Sequence, residues 1–325
     1  MQFRHLGNGP LTVSEIGFGS WLTLAGGVEK ARAIACVHAA LDQGITLFDT
    51  ANQYGAGEAE RVLGEGLRTS SASRDKYLIA TKLFNQVGDE PDKGLSAEQV
   101  VKQLDRSLTR MGTDYIDLYQ CHRYDKETPL EETLEALDRA VQSGKVRAIG
   151  VSEWPVDKIH AAAELTAKRG WTPMSSSQPQ YSMLWRKPEA AVFAACRDHG
   201  LGNIVYSPLA QGVLTGKYKP GQPPPEGSRA ANPEMNITME TNGRRFRSDF
   251  LLEAVQKLDP IAADLGLTMM QLALAWVLRR SEVSSAIIGA SRPEQIAAAV
   301  AASGVTLAEE AIARTDEVLG FVTLR

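Results

Sequence analysis

This chain is short of cysteine. Its three, Cys36, Cys121 and Cys196, are odd in number and widely spaced, which excludes a disulfide framework and a cysteine-based metal site. Long apolar runs are missing, and none approaches the ~20 residues that span a bilayer. The opening Met1-Gln2-Phe3-Arg4-His5-Leu6-Gly7 lacks the apolar core of a signal peptide. A strong charge of either sign is missing too. The formal net charge of −4 argues against nucleic acid or an anionic membrane as the main partner. No strand–GxGxxG–helix unit occurs, so a Rossmann domain is not expected. With no linker, solenoid repeat or low-complexity block, one domain over residues 1–325 is expected, without metal, in a reduced cytoplasmic setting.

What is present is a rhythm. Strand-like runs at 15–18, 46–48, 77–81, 116–121, 146–151, 174–178, 203–207 and 284–288 alternate with helical patterns. The helical patterns cover 31–43, 59–68, 97–111, 130–143, 156–168 and 188–199, with 293–301 and 307–320 closing the chain. In the third of them Val100, Val101, Leu104, Leu108 and Met111 recur at helical spacing. Gly44, Gly112, Gly144, Gly170 and Gly200 stand just past five of these helices, where a left-handed residue ends the last turn. Eight strand–helix units imply a (β/α)8 TIM barrel. The prefix 3–13, centred on Gly7-Asn8-Gly9-Pro10, predicts a β-hairpin ahead of it.

One stretch breaks the rhythm. After the seventh strand, residues 211–249 show little periodicity and include Pro220-Gly221-Gln222-Pro223-Pro224-Pro225. A loop longer than ~12–15 residues in a compact domain is usually functional or disordered. This long loop is expected to act as a lid.

Three strand ends deliver polar, ionisable groups: Asp49 and Tyr54 after the second strand, Lys82 after the third, His122 after the fourth. In a parallel barrel such ends converge on the face that carries chemistry. Taken singly, each has a plain structural explanation. Asp49 could cap the next helix, Tyr54 pack on the rim, and Lys82 sit solvated. His122 follows Cys121, but strand neighbours point to opposite faces, so a thiol–imidazole pair is not expected. Their coincidence points to proton donation. A tyrosine with a pKa near ~10 is a sluggish acid, an adjacent ammonium favours its phenolate, and a carboxylate keeps that ammonium charged.

The motifs together resemble the aldo-keto reductases across essentially the whole chain. They are Ile16-Gly17-Phe18-Gly19, Phe48-Asp49-Thr50-Ala51, Thr81-Lys82, Asp117-Leu118-Tyr119-Gln120-Cys121-His122 and Ile149-Gly150-Val151-Ser152. Tyr206-Ser207-Pro208-Leu209-Ala210 and Ile287-Ile288-Gly289-Ala290-Ser291-Arg292-Pro293-Glu294-Gln295 complete the set. The last two are similar in style to the branch holding potassium-channel beta subunits and their bacterial relatives.

The resemblance implies NADPH-dependent reduction of a small carbonyl substrate, aldehyde or ketone. Tyr54 would be the general acid, tuned by Lys82 and Asp49, with His122 orienting the carbonyl. It implies NADPH/NADP contacts from Gly19, Ser20 and Trp21, from Asp49, Ser152 and Gln178, and from Tyr206 stacked on the nicotinamide. Ser207, Pro208, Leu209, Ala210, Gln211 and Gly212 would follow the pyrophosphate, with Lys217, Ser228 and Arg229 closing over it. Gly289, Ser291, Arg292 and Gln295 would hold the adenosine end, where free N–H groups at a helix start suit a phosphate. Trp21, Tyr54, Phe84, Trp154 and Trp185 could wall the substrate pocket. The chain departs from the family pattern at Glu153, Ala298 and Ala299. Channel subunits of the branch carry Asn where this chain has His122, so the alternative, a nucleotide-sensing subunit with poor turnover, is the weaker expectation. A homo-oligomer stays open.

Overall fold

The computed structural model describes residues 1–89, 92–233, 235 and 248–323. Strands β1 (Phe3–His5) and β2 (Thr12–Ser14) form an antiparallel hairpin. The next eight are β3 (Ile16–Gly19), β4 (Leu47–Asp49), β5 (Leu78–Leu83), β6 (Ile116–Cys121), β7 (Val146–Ser152), β8 (Met174–Gln178), β9 (Gly202–Val205) and β10 (Val283–Ile288). They close into a parallel barrel in chain order, β10 beside β3. The fold is therefore the (β/α)8 barrel with an N-terminal hairpin that the sequence predicts.

Alternation along each strand decides which side chains reach the barrel axis. Leu47, Ala80, Leu118, Ala148 and Ile204 form one buried cluster. Their neighbours Phe48, Ile79, Tyr119, Ile149 and Val205 belong to the larger cluster under the helices. Asp49 and Lys82 lie two residues beyond Leu47 and Ala80, and His122 lies four beyond Leu118, so all three share the inward direction. Inward space is tight. A Cβ on Gly150 would meet Ser176 Oγ at 2.1 Å, so only glycine fits there.

The two ends of the barrel are built differently. Leu6, Leu11 and Val13 of the hairpin join the inner cluster, and Arg4 donates to the carbonyls of Val283 (2.7 Å) and Leu278 (2.8 Å). That closes the end where the strands begin. Asp117, fully buried, accepts from Ile79 N (2.9 Å) and pairs with Arg74 (2.6 Å) and Arg147 (2.8 Å). It ties β5, β6 and β7 together near their starts. The opposite end stays open for ligand.

Helices Ala97–Met111, Leu130–Gln142 and Val156–Arg169 follow the predicted patterns closely. The predicted helix 188–199 splits into a 3-10 turn, Lys187–Glu189, and a helix, Val192–Asp198, because the backbone at Ala191 leaves the helical region (φ −154°, ψ −33°). Helices Asp249–Gln256, Leu258–Asp264 and Met269–Leu278 precede the last strand. Most of the central part of the predicted lid, 236–247, lies outside the described residues. Among the described residues no single helix is long and apolar enough to cross a membrane.

Candidate active site

Strand register brings the acid–base groups together. Gly19 pairs with Asp49, Asp49 with Ala80, and Lys82 with Gln120. Lys82 is fully buried, and its ammonium donates to both oxygens of Asp49 (2.9 and 2.7 Å) and to the Thr50 carbonyl (2.8 Å). Three N–H groups meet three acceptors. Gln178 Nε2 donates to Asp49 Oδ1 at 2.9 Å, and Ser152 Oγ donates to the Gln178 carbonyl at 2.9 Å. Strands β4, β5, β7 and β8 thus share one polar network.

Tyr54 opens a 3-10 turn, Tyr54–Gly57, beyond β4. The loop carrying it is pinned: Thr50 N and Asn52 N donate to the carbonyls of Ala80 (2.8 Å) and Lys82 (3.1 Å). Asn52 Nδ2 donates to Gln103 Oε1 at 2.8 Å. The Lys82 ammonium lies 5.2 Å from the centre of the Tyr54 ring, and the His122 ring meets that ring edge-on at 5.7 Å. These four predicted groups converge.

The electrostatics differ from the simplest expectation. Burial first, then the Asp49 carboxylate, push the Tyr54 phenol above its usual range, while Arg123 pulls it down. Burial likewise draws the Lys82 ammonium down, opposed by Asp49. Burial, Lys82 and Arg123 hold His122 down to about 2, so it is a neutral imidazole, and its Nδ1 has no partner among the described residues. Tyr54 therefore carries its proton at neutral pH beside a neutral histidine.

These groups face a cavity of about 1180 Å³. Small-ligand pockets usually hold roughly 300–1,000 Å³, so there is room for a dinucleotide and a second small molecule. Every predicted contact residue lines it except Ser20, Lys82 and Ala210. Those three are fully buried behind the wall. Of the aromatics expected around the substrate, Trp21, Tyr54 and Trp185 reach the wall, whereas Phe84 and Trp154 do not. Trp154 instead packs edge-on against Tyr124 at 5.0 Å.

The far part of the cavity suits a polyanion. Lys217, Arg229 and Arg292 all line it. Lys217 is held below the usual lysine range by burial and by the charges of Arg229 and Arg292. Among the described residues, Gln211 Oε1 and Ser228 Oγ are buried there without a partner. Crowded cations and orphaned polar atoms fit a dinucleotide whose phosphates would supply the missing charge. The helix start at Ser291-Arg292 differs from the prediction, because its N–H groups are engaged. Gln295 Oε1 accepts from Ser291 N (2.8 Å) and Arg292 N (3.3 Å).

Backbone strain gathers on this face. Phe84, Glu153, Ser207, Ala210 and Gln211 have φ of 122°, 52°, 53°, 46° and 60°. All lie just past the ends of β5, β7 and β9, and such costly conformations cluster at functional sites. At Glu153 the strain turns the carboxylate out of the cavity wall. It accepts from Gln180 N at 2.7 Å and hydrogen-bonds Tyr206, whose phenol burial and Glu153 push up.

Several wall residues escape the sequence reading. Arg123, Gln180 and the segment around the π-helical turn Thr23–Gly27 line the cavity. Arg123 directly follows His122 at a strand end, a position that marks it. The Thr23–Gly27 turn has no such signal. It is reached by the long loop, since Asn232 Nδ2 donates to the Gly27 carbonyl at 3.5 Å and Arg229 lies over the Trp21 ring at 5.4 Å.

An open-ended (β/α)8 barrel with a buried Asp–Lys pair, a proton-loaded tyrosine and a neutral histidine at strand ends defines a class of site. The family model described as the aldo/keto reductase family matches residues 15–319, and the chain belongs to that family. One relative, named "Probable voltage-gated potassium channel subunit beta" in Arabidopsis thaliana, is 36% identical over 297 residues, covering 91% of this chain and 89% of that protein. Another, named "L-glyceraldehyde 3-phosphate reductase" in Escherichia coli (strain K12), is 35% identical over 331 residues, covering 98% of this chain and 92% of that protein.

Proposed function

We propose that this protein reduces aldehydes or ketones to alcohols with NADPH. The observation that carries the reading is the juxtaposition of Tyr54, His122 and the Asp49–Lys82 pair at one end of a cavity whose other end is lined by Lys217, Arg229 and Arg292. NADPH, when bound, supplies the hydride that reaches the carbonyl carbon. Gln178 and Ser152 would hold its carboxamide, Tyr206 would lie against its ring, and the three cations would hold its phosphates.

Tyr54 donates its proton to the carbonyl oxygen as negative charge develops there. The phenolate left behind is favoured by the charge of Arg123, with the Lys82 ammonium 5.2 Å from the ring centre, and solvent returns the proton. His122, neutral with an unpartnered ring nitrogen, orients the carbonyl oxygen. Asp49 opposes the effect of burial on Lys82 and favours its charged form. NADPH would be favoured over NADH because Ser291 and Arg292, with Lys217 and Arg229, offer basic and hydroxyl groups that could hold a 2′-phosphate.

The channel-subunit names among the relatives favour a second reading, a nicotinamide-nucleotide sensor that binds tightly and turns over poorly. The reductase name of the other relative, and the neutral His122, favour catalysis. Following NADPH absorbance across a panel of aldehydes, ketones and sugars separates the two. The reductase reading predicts steady turnover with at least one reactive aldehyde. Tight NADPH binding with no more than a single turnover on every carbonyl tested would establish the sensor instead.

A further inference from the structure

We propose that Arg123 selects carbonyl substrates that carry a negatively charged group, a carboxylate or phosphate, close to the reacting carbon. The inference rests on the reductase reading and names its substrate class.

Arg123 is solvent-exposed yet lines the cavity at its chemical end. Among the described residues one of its five donors is used, since Nη1 donates to the carbonyl of His122 at 2.6 Å. That bond folds the guanidinium back over the residue that faces the reacting oxygen. Among the described residues it forms no ion pair. The two carboxylates nearest in role are already engaged: Asp49 with Lys82 at 2.7 Å, and Glu153 with Gln180 N and Tyr206. Glu153 is absent from the cavity wall.

Its charge is felt at the chemical groups. Arg123 lowers Tyr54, Lys82, His122 and Tyr206 together, so its field covers the place where a substrate would sit. An arginine that merely solvated a loop would not reach all four. A planar fork with four unused N–H groups matches a carboxylate or phosphate. Lining the cavity, such a cation raises the local concentration of anionic substrate. Of the cations lining the cavity, Arg123 is the one whose charge acts on both Tyr54 and His122, whereas Arg229 and Arg292 act on Lys217.

The test compares matched pairs: succinate semialdehyde against its methyl ester, and glyceraldehyde 3-phosphate against glyceraldehyde. A charge-assisted hydrogen bond contributes about 1.5–3 kcal/mol, or roughly 10- to 100-fold. The wild-type enzyme should favour the anionic member of at least one pair by about tenfold or more in kcat/KM, chiefly through KM. Arg123→Met should bring that ratio close to one, and Arg123→Lys should keep part of it. Because Arg123 also acts on Tyr54, both members of a pair can slow, and the ratio cancels that common loss. A second measurement needs no variant: succinate, at fixed ionic strength and saturating NADPH, should compete with a neutral aldehyde. A ratio near one in the wild type, an unchanged ratio in Arg123→Met, or no competition by succinate would overturn the assignment. Failure to oxidise NADPH with any carbonyl would sink the reductase reading itself, which is a different result.

Discussion

The two ends of the cavity solve opposite problems. At the chemical end the buried charges cancel. Lys82 and Asp49 satisfy each other, Thr50 and Gln178 complete the network, and four strands hold it. At the far end like charges crowd: burial, then Arg229 and Arg292, hold Lys217 low, and among the described residues Gln211 and Ser228 leave buried oxygens unpartnered. The first end is finished before any ligand arrives, as transition-state stabilisation requires. On the proposed function, an anion completes the second. Chemistry and affinity would then fall to separate residues, and variants can break the two apart.

The largest expected effect comes from the finished end. Lys82→Met leaves the Asp49 carboxylate buried, with Gln178 as its remaining side-chain partner. Breaking a buried pair from one side typically costs about 3–5 kcal/mol. Urea unfolding should show that loss, together with loss of turnover. The double variant Asp49→Asn/Lys82→Met should recover most of the stability and none of the activity. If Lys82→Met were as stable as wild type, the pair would not be the closed unit described.

A smaller effect sharpens the same contrast. His122 is held down to about 2 in the fold, whereas an unfolded histidine takes a proton near ~6.5. Below that value the unfolded chain binds the extra proton, so stability falls as pH falls. The slope approaches about 1.4 kcal/mol per pH unit. Urea unfolding at stepped pH should show this slope in the wild type and a shallower one in His122→Gln. Equal slopes would mean that His122 is not the buried neutral imidazole of the site.

How much of this was legible in the sequence follows from where the signals lie. Asp49, Lys82 and His122 were visible because each ends an apolar strand, and the alternation that buries Leu47, Ala80 and Leu118 also aims them inward. Asp117 was visible as part of a motif, but its work as a tie for Arg74, Arg147 and Ile79 needs the neighbouring strands. Helix Met269–Leu278 is apolar on every side, eight of its residues being buried, so no amphipathic stripe announces it. The sequence puts a lysine and a carboxylate near a tyrosine, so their tuning of Tyr54 was an expectation. Only the fold shows that the Lys82 ammonium meets both Asp49 oxygens and the Thr50 carbonyl, and that Arg123 is the charge that lowers the buried phenol.

The separation of chemistry from affinity is tested most directly by two variants crossed against two readouts. Tyr54→Phe and Arg292→Ala are each measured for turnover at saturating NADPH and for NADPH and NADH affinity by fluorescence titration. Tyr54→Phe should lose about 10²–10⁴-fold in kcat, the usual contribution of a general acid, with NADPH affinity changed little. Arg292→Ala should weaken NADPH roughly 10- to 100-fold, the value of one charge-assisted contact, with NADH nearly untouched and kcat largely kept. If Tyr54→Phe keeps turnover within a few-fold of wild type, or Arg292→Ala weakens both cofactors equally, the two ends do not divide the work as described.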